Sequence, residues 1–416
     1  MPLLKNLVKN VLFVVLLAYL LKVKVPPDHL CANDPVFIIT KTLVSCLHST
    51  LLFISERTPF WIYIPTLRKL LDAAVVPDHI KINIIQPHDK KFTIEHIMPK
   101  ELRNVKSRKT MFYYHGGGMA AGGPRSYPIS YLKRQKDVQI FGIDYRLAPE
   151  TPFPGAIDDC VEATRFILSL SERYNIGEFS IYGESAGGNL VLSTMMSIDF
   201  EKEFGRKPVT AHAAIPMGQM MRFDTPSYSS PDNHFELSRQ LMTEFWLMYS
   251  GVSDNNIRNR ELLQRNLHWE KQIRDDEDFL ERTNPERWLP PKYAKDYKGV
   301  KPNKHDFGND FPKKLGKLLR NKLFSPGCAS DDDLLKLCRN AKNVVVSVAE
   351  YDVLRDDGIM IAERMKFVGC KNVELVVYEK VGHLFFFESE KNTNLPVGFK
   401  VYDELADESI DLTKFE

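Results

Sequence analysis

The fold is decided by nine residues, Phe179-Ser180-Ile181-Tyr182-Gly183-Glu184-Ser185-Ala186-Gly187. The first four are mostly aromatic and β-branched, which predicts a short buried strand. Residues 186–200 carry apolar side chains at helical spacing and predict a helix. Gly183 and Gly187 frame Ser185, and glycines at these places permit the sharp turn that exposes a serine nucleophile. The stretch therefore predicts a strand, an elbow and a helix, with Ser185 at the elbow.

A run of glycines, His115-Gly116-Gly117-Gly118, follows a second strand pattern in residues 110–114. Glycines let backbone N–H groups approach a substrate closely. In acyl transfer, the carbonyl oxygen gains negative charge in the tetrahedral intermediate, and fixed N–H donors stabilise that charge. We expect the amides of Gly116, Gly117 and Ala186 to form this oxyanion hole.

The same run also fits a dinucleotide-binding fingerprint, G-x-G-x-x-A, at Gly116, Gly118 and Ala121. That fingerprint must open a helix. Residues 122–128 contain two glycines and two prolines, which forbid a regular first turn. A substrate-binding loop is therefore the favoured interpretation.

The order of the histidines along the chain selects one general base for Ser185. Five of the eleven histidines follow Ser185, and a triad of this kind places its histidine after its acid. Only His383 follows both of the later strand patterns, residues 343–349 and residues 373–378. Acid and base then lie at carboxyl ends of strands, where open α/β sheets bind ligands.

The acid is expected in the loop that follows residue 349. Glu350 would lie within or flush with the strand, whereas Asp352 is the acid nearest the end of the strand. Asp356 and Asp357 look like residues of a first helical turn, where carboxylates complement the helix dipole. We therefore predict that Asp352 orients the base.

Four separated motifs resemble the hormone-sensitive-lipase branch of the α/β-hydrolases, in particular the group of arylacetamide deacetylase and neutral cholesterol ester hydrolase. They are residues 115–118 (His-Gly-Gly-Gly), 144–150 (Asp-Tyr-Arg-Leu-Ala-Pro-Glu), 183–189 (Gly-Glu-Ser-Ala-Gly-Gly-Asn) and 351–358 (Tyr-Asp-Val-Leu-Arg-Asp-Asp-Gly). The similarity includes residues 226–228, Pro-Ser-Tyr. It implies an α/β fold with a mostly parallel central sheet flanked by helices, a helical cap and an N-terminal membrane anchor.

The resemblance assigns residues to the same two sites. They are Ser185, Asp352 and His383 for the catalytic triad, and Gly116, Gly117 and Ala186 for the oxyanion hole. The chain departs from the family at Glu184, where Asp is usual, and at Met119, where Trp is frequent. Glu184 should not disable the chemistry, because this position has no required role in the elbow. Met119 leaves the shape of the expected acyl pocket open.

The patterns divide the chain into five parts. They are a signal anchor (1–25), an N-terminal cap with lead-in strands (26–105), the first part of the hydrolase core (106–218), a cap insertion (219–323), and the second part of the core with a C-terminal tail (324–416). Phe245, Trp246 and Met248 of the insertion are candidates to line an acyl pocket, although aromatic residues at helical spacing are more often simple core.

The N-terminus predicts a membrane anchor. Residues 11–21 are apolar apart from Tyr19, with two lysines on each side. Such a run is shorter than the ~20 residues that span a bilayer, but lysine snorkelling extends it over residues 5–25. No small-x-small site follows, so cleavage is not expected. The balanced lysines do not set an orientation; the resemblance implies a single-pass type II protein of the endoplasmic reticulum membrane with a lumenal catalytic domain.

The composition and the cysteines indicate whether nucleic-acid, disulfide, metal or cofactor sites are expected. A net charge of +2 gives no basis for nucleic-acid binding. The six cysteines are too sparse for a disulfide scaffold; Cys160 fits a core helix, and Cys328 and Cys338 are close enough in sequence to form a bridge. No C-x-x-C or H-E-x-x-H motif occurs, so neither a metal nor a cofactor is expected.

Together these patterns predict a membrane-anchored serine hydrolase that cleaves hydrophobic carboxylic esters through an acyl-enzyme. Amide deacetylation is an alternative. A catalytically silent ligand receptor on the same fold, as in the gibberellin receptors, and a membrane-tethered scaffold belong to other classes. The receptors lack the histidine that is His383 here. Acyl-chain length and oligomeric state stay open.

Overall fold

A computed structural model of the chain describes residue 68 and residues 76–125, 137–234, 236–252, 257–295, 297, 299 and 311–384. The predicted anchor, residues 1–25, lies outside these residues, as do residues 26–67 and the tail at 385–416. None of the helices in the described part has the length and apolar character needed to span a bilayer.

One sheet of eight strands forms the centre of the described fold. The strands are β1 (Ile80–Ile85), β2 (Thr93–Pro99), β3 (Arg108–Tyr114), β4 (Val138–Asp144), β5 (Ile176–Glu184), β6 (Thr210–Ala214), β7 (Asn343–Tyr351) and β8 (Val373–Gly382). Their order in space is β1-β2-β4-β3-β5-β6-β7-β8. β2 pairs antiparallel with β1 and β4, and all other pairs are parallel. The predicted mostly parallel sheet is confirmed.

The helices flank this sheet. They are α1 (Gly155–Ser169), α2 (Ala186–Ser197), α3 (Phe200–Phe204), α4 (Pro226–Ser229), α5 (Arg239–Ser250), α6 (Ile257–Gln264), α7 (Lys271–Arg274), α8 (Glu277–Glu281), α9 (Pro285–Trp288), α10 (Pro291–Ala294), α11 (Phe311–Leu319), α12 (Asp331–Arg339) and α13 (Arg355–Phe367). Within the described residues, 3-10 helices also form at Lys100–Asn104, Pro231–His234 and Pro326–Cys328. The helices α4 to α11 lie between β6 and β7, in the predicted insertion.

The central strands, β3 to β7, are largely buried on both faces of the sheet. Successive side chains of a strand point to opposite faces, and Phe112 and Ile181 belong to one core cluster whereas Tyr113 and Tyr182 belong to another. Strands covered on both sides appear in the sequence as continuous apolar runs. The strands of the central sheet could therefore be located in the sequence as apolar runs, although polar and apolar residues do not alternate along them.

Several predicted boundaries shift by a few residues, as at the strand expected over residues 179–182, which spans Ile176–Glu184. The helix expected over residues 186–200 ends at Ser197, because Ile198 is extended and the side chain of Asp199 accepts a hydrogen bond from the Lys202 amide, which starts α3. The strand expected over residues 373–378 continues to Gly382. His383 nevertheless follows its strand directly, as predicted.

The cysteine pairing corrects the sequence-based expectation. Cys338 forms a disulfide with Cys370, with a Cα–Cα distance of 6.0 Å, and Cys328 is a free, buried cysteine. Cys328 precedes α12, whereas Cys338 lies in the last turn of that helix, beside Cys370, which follows α13. Cys160 lies buried in α1, as expected.

Candidate active site

Ser185 lies in a strained turn between β5 and α2. Its backbone has φ 57° and ψ −115°, a conformation that costs a non-glycine residue about 1–3 kcal/mol. A Cβ atom at Gly187 would lie 1.9 Å from the carbonyl oxygen of Tyr114, so glycine is required for this close approach. The Ser185 amide donates to the Ala214 carbonyl at 2.9 Å, and the Ser185 carbonyl accepts from the Met217 amide at 3.0 Å. These contacts with the end of β6 hold the elbow in place.

Asp352 and His383 form a buried pair. The Nδ1 atom of His383 lies 2.7 Å from Oδ2 of Asp352, and the other carboxylate oxygen accepts from the Leu354 amide at 3.0 Å. Asp352 is fully buried and His383 is 8 % exposed. A carboxylate on Nδ1 fixes the ring orientation and leaves Nε2 as the nitrogen available for proton transfer.

The sheet brings the three predicted residues to one edge. Ser185 follows β5, Asp352 follows β7 and His383 follows β8. These strands run parallel in the order β5-β6-β7-β8, with neighbours about 4.8 Å apart. The carboxyl ends of these three strands therefore present a serine, a carboxylate and an imidazole on the same side of the sheet.

The glycine loop differs from the prediction at Gly116. Its amide donates to Oε1 of Glu184 at 2.8 Å, so the N–H group expected to stabilise the oxyanion already has an acceptor. Gly117 and Gly118 have φ values of 107° and 64°, which are accessible mainly to glycine. This backbone turns the loop after β3 towards the start of α2 at Ala186.

Glu184 connects the elbow to this loop. Its Oε1 also accepts from the hydroxyl of Tyr113 at 2.8 Å. Burial raises the pKa of Glu184 to about 7, against the hydrogen bonds from Gly116 and Tyr113, which lower the pKa. The side chain that replaces the family's usual aspartate therefore titrates near neutral pH.

Two residues support the glycine loop without having been predicted. The Tyr145 ring stacks on His115 with 4.1 Å between ring centroids, and its hydroxyl donates to the His115 carbonyl at 2.7 Å. Arg68 donates to the carbonyls of Ala120 at 2.8 Å and Ala148 at 2.9 Å. The only sequence signal for Tyr145 was its place in the motif at 144–150. Arg68 lies 52 and 80 residues from the two carbonyls that it contacts, so no local pattern pointed to it.

Residues of the insertion reach the glycine loop. A Cβ atom at Gly118 would lie 2.1 Å from the Phe245 ring, so Phe245 packs directly on the loop. Trp246 instead packs against Phe324, with 5.2 Å between ring centroids. Phe245 is thus placed beside the candidate site, and Trp246 is a core residue.

Asp356 and Asp357 lie in the first turn of α13, as predicted, but they are buried. Asp356 accepts from the Ser227 amide at 2.7 Å, and Asp357 accepts from the Gln219 amide at 3.2 Å. Burial raises the pKa of Asp357 well above its usual range. Within the described residues, no group of three or more His, Cys, Asp or Glu side chains could hold a metal ion. The hydrogen bonds that Asp356 and Asp357 accept from Ser227 and Gln219 bind the insertion to the core.

Comparison with known proteins identifies the family. A family described by its α/β-hydrolase fold matches residues 111–268 and 276–387. Neutral cholesterol ester hydrolase 1 of Mus musculus is 30% identical over 305 residues, which cover 70% of this chain and 71% of that protein. Arylacetamide deacetylase of Mus musculus is 25% identical over 370 residues, which cover 86% and 88%.

Solved structures agree on the fold. A hyperthermophilic esterase from Pyrobaculum calidifontis superposes with a TM-score of 0.57 at 19% sequence identity, over 91% of this chain and 98% of that chain. An esterase from Rhizomucor miehei gives a TM-score of 0.57 at 20% identity, over 85% and 90%. The sheet order, the elbow and the extent of the family match lead to one conclusion: the chain belongs to the α/β-hydrolase family.

Proposed function

We propose that this protein is a membrane-anchored serine hydrolase that cleaves hydrophobic carboxylic esters, with Ser185 as nucleophile, His383 as base and Asp352 as the acid that orients it. The observation that carries the proposal is the 2.7 Å contact between His383 and Asp352, at the sheet edge that also holds the strained Ser185. Relatives named as an ester hydrolase and a deacetylase support it.

The proposed reaction proceeds in two halves. His383 Nε2 takes the hydroxyl proton as Ser185 Oγ bonds to the ester carbonyl carbon, and the tetrahedral intermediate then expels the alcohol, which receives that proton. Water, deprotonated by His383, attacks the acyl-enzyme and releases the acid and free Ser185. Asp352 stays ionised and stabilises the imidazolium.

We assign the oxyanion hole to the amides of Gly117, Gly118 and Ala186. Gly118 replaces Gly116 in this proposal because the Gly116 amide is occupied by Glu184. Each correctly placed donor is worth about 10²–10³ in rate. Ala186 contributes because it opens α2, where the first amides have no partner within the helix.

The substrate proposal rests on apolar surroundings. Met119 and Phe245 are buried beside the loop, and the mouse relatives are named for a cholesterol ester and an arylacetamide. An ester with a hydrophobic acyl or alcohol group fits this environment, and an aromatic amide is the second candidate. We place the protein in the endoplasmic reticulum membrane through residues 1–25, with the catalytic part in the lumen; the Cys338–Cys370 disulfide supports an oxidising compartment.

Hydrolysis of p-nitrophenyl esters from acetyl to long acyl chains, by the detergent-solubilised protein, tests the proposal. Ser185→Ala and His383→Asn should each lower kcat by roughly 10⁵-fold or more, and Ser185→Ala should also abolish labelling by a fluorophosphonate. The preferred chain length separates acetyl esters from lipids. Correctly folded wild-type protein that neither turns over an ester nor becomes labelled would favour the silent receptor.

A further inference from the structure

The side chain of Asn233, in the 3-10 helix Pro231–His234, contacts the backbone of Asp352. Its Nδ2 donates to the carbonyl oxygens of Asp352 at 3.1 Å and of Ser227 at 3.0 Å. Both acceptors are carbonyls, so the nitrogen end of the amide must face them. Asn233 is 2 % exposed, and a buried amide that loses its partners is destabilising. The amide therefore ties the insertion to the candidate acid.

Ser227 holds the next residues of the same loop. Its hydroxyl donates to the Val353 carbonyl at 2.7 Å, and its amide donates to Oδ2 of Asp356 at 2.7 Å. Together with Asn233, it fixes the acid loop at Asp352, Val353 and Asp356. All of these contacts come from one short part of the insertion.

The insertion also contacts the loop that carries the candidate base, His383. Oε2 of Glu236 accepts from the Leu384 amide at 2.5 Å, and Glu236 is 6 % exposed. Leu384 is the residue after His383. The insertion thus contacts both of the loops that present the acid and the base, and neither contact involves the reacting atoms.

We propose that Ser227, Asn233 and Glu236 form a brace that positions Asp352 against His383, with Asn233 as its main positioning residue. The proposal rests on the proposed hydrolase mechanism and adds a role for the insertion beyond covering substrate. Because the Asp352 carboxylate is attached to the backbone that Asn233 holds, a shift of that backbone changes the contact with His383. Misplacement of a catalytic group by about 1 Å can cost on the order of 10² in rate.

Steady-state kinetics of the full chain in detergent, with a p-nitrophenyl ester, tests the brace. Asn233→Ala should lower kcat by roughly 10- to 100-fold and leave KM within about twofold, because the acyl-binding surface is unchanged. Asn340→Ala is a matched control. Asn340 is also a buried asparagine, and its Nδ2 donates to the carbonyls of Met195 and Ile198, away from the candidate site. It should lower the unfolding midpoint and leave kcat within about twofold.

One further variant guards against misfolding, and a double variant tests whether the two residues act together when both single variants fold. If Asn233→Ala does not fold, Ser227→Ala removes one contact of the brace and should lower kcat without raising KM. In the double variant, the losses should be less than additive, since both residues act on one loop. If the wild-type enzyme is active, an unchanged kcat in Asn233→Ala or in Ser227→Ala would overturn the brace alone. A loss of kcat in Asn340→Ala as large as that in Asn233→Ala would do the same. Wild-type protein without turnover or fluorophosphonate labelling would overturn the proposed function as well.

Discussion

Glu184 places a carboxylate between the nucleophile elbow and the glycine loop. Oε1 accepts hydrogen bonds from the Gly116 amide and the Tyr113 hydroxyl, each at 2.8 Å, and no described residue donates to Oε2. Burial raises the pKa of Glu184 to about 7. Near neutral pH, the two loops of the site are therefore joined by a side chain that exists in both its protonated and its ionised form.

The free energy of unfolding of the wild type should fall, relative to Glu184→Gln, as the pH rises from about 4.5 to about 7. The pKa of the carboxyl is higher in the folded state, so folded protein binds the proton more tightly, and this advantage is lost as the pH rises through the folded-state pKa. A pKa rise from 4.5 to about 7 corresponds to roughly 3 kcal/mol, at about 1.4 kcal/mol per pKa unit. Urea unfolding at a series of pH values measures this difference.

Glu178→Gln is the control for this measurement. Glu178 lies on the same strand, β5, but its side chain is 51% exposed and pairs with Lys342 at 3.5 Å. Its difference curve should be nearly flat over the same pH interval. If the curve for Glu184→Gln were equally flat, burial would not govern the ionisation of Glu184.

Chain order and motif context were sufficient to select Ser185, Asp352 and His383 as candidates, because each must follow a strand of the central sheet. They could not assign Gly116 correctly. The direction of its amide depends on the length and path of the Glu184 side chain, which brings two segments 68 residues apart into contact. The brace was missed for the same reason, since its contacts with the acid and base loops span 119 to 148 residues.

At the scale of elements, the disulfide joins the end of α12 to the turn after α13. Cys338 lies in the last turn of α12, and Cys370 follows α13. A polar contact also joins the two helices, since Arg364 of α13 donates to Oδ1 of Asp331 in the first turn of α12 at 3.0 Å. The bridge therefore closes a loop of 32 residues around α13.

Cys338→Ser should lower the free energy of unfolding by about 3–4 kcal/mol, the loss expected for a loop of this length. Urea unfolding with and without reductant measures the effect, and reductant should leave the variant unchanged. Peptide mapping by mass spectrometry should recover a Cys338–Cys370 crosslink.

Cys328→Ser serves as the comparison. Cys328 is a free thiol in the described chain, with Sγ 3.3 Å from the Ser325 hydroxyl. The variant should retain the full sensitivity of the wild type to reductant. A crosslink between Cys328 and Cys338 would contradict the pairing seen in the structure.

Element types were predictable where the pattern was long, and their ends were less so. The valine-rich run of β7 and the helix after Ser185 follow from side-chain periodicity. The end of α2 depends instead on one capping side chain, Asp199, and the disulfide depends on how two helices pack. Such contacts between distant segments leave no periodic signal in the sequence.

At the scale of the molecule, the proposed lumenal position of the catalytic part makes a topological prediction. In microsomes that contain the full chain, added protease should leave the catalytic part intact until detergent opens the vesicles. A chain without residues 1–25 should lose its membrane attachment. Immunoblotting against the C-terminal tail measures both results. Digestion of the catalytic part in sealed vesicles would place it on the cytosolic side.

The insertion between β6 and β7 is not an interchangeable module. Its Asn233 and Glu236 contact the acid and base loops, while its Phe245 packs on the glycine loop. Any chimaera that imports a foreign insertion to change substrate preference would replace these supports together with the substrate-binding surface. Under the proposed brace, new substrate preference evolves most readily by point substitutions on an insertion that keeps its inner contacts, because replacement of the whole insertion would also change the turnover rate.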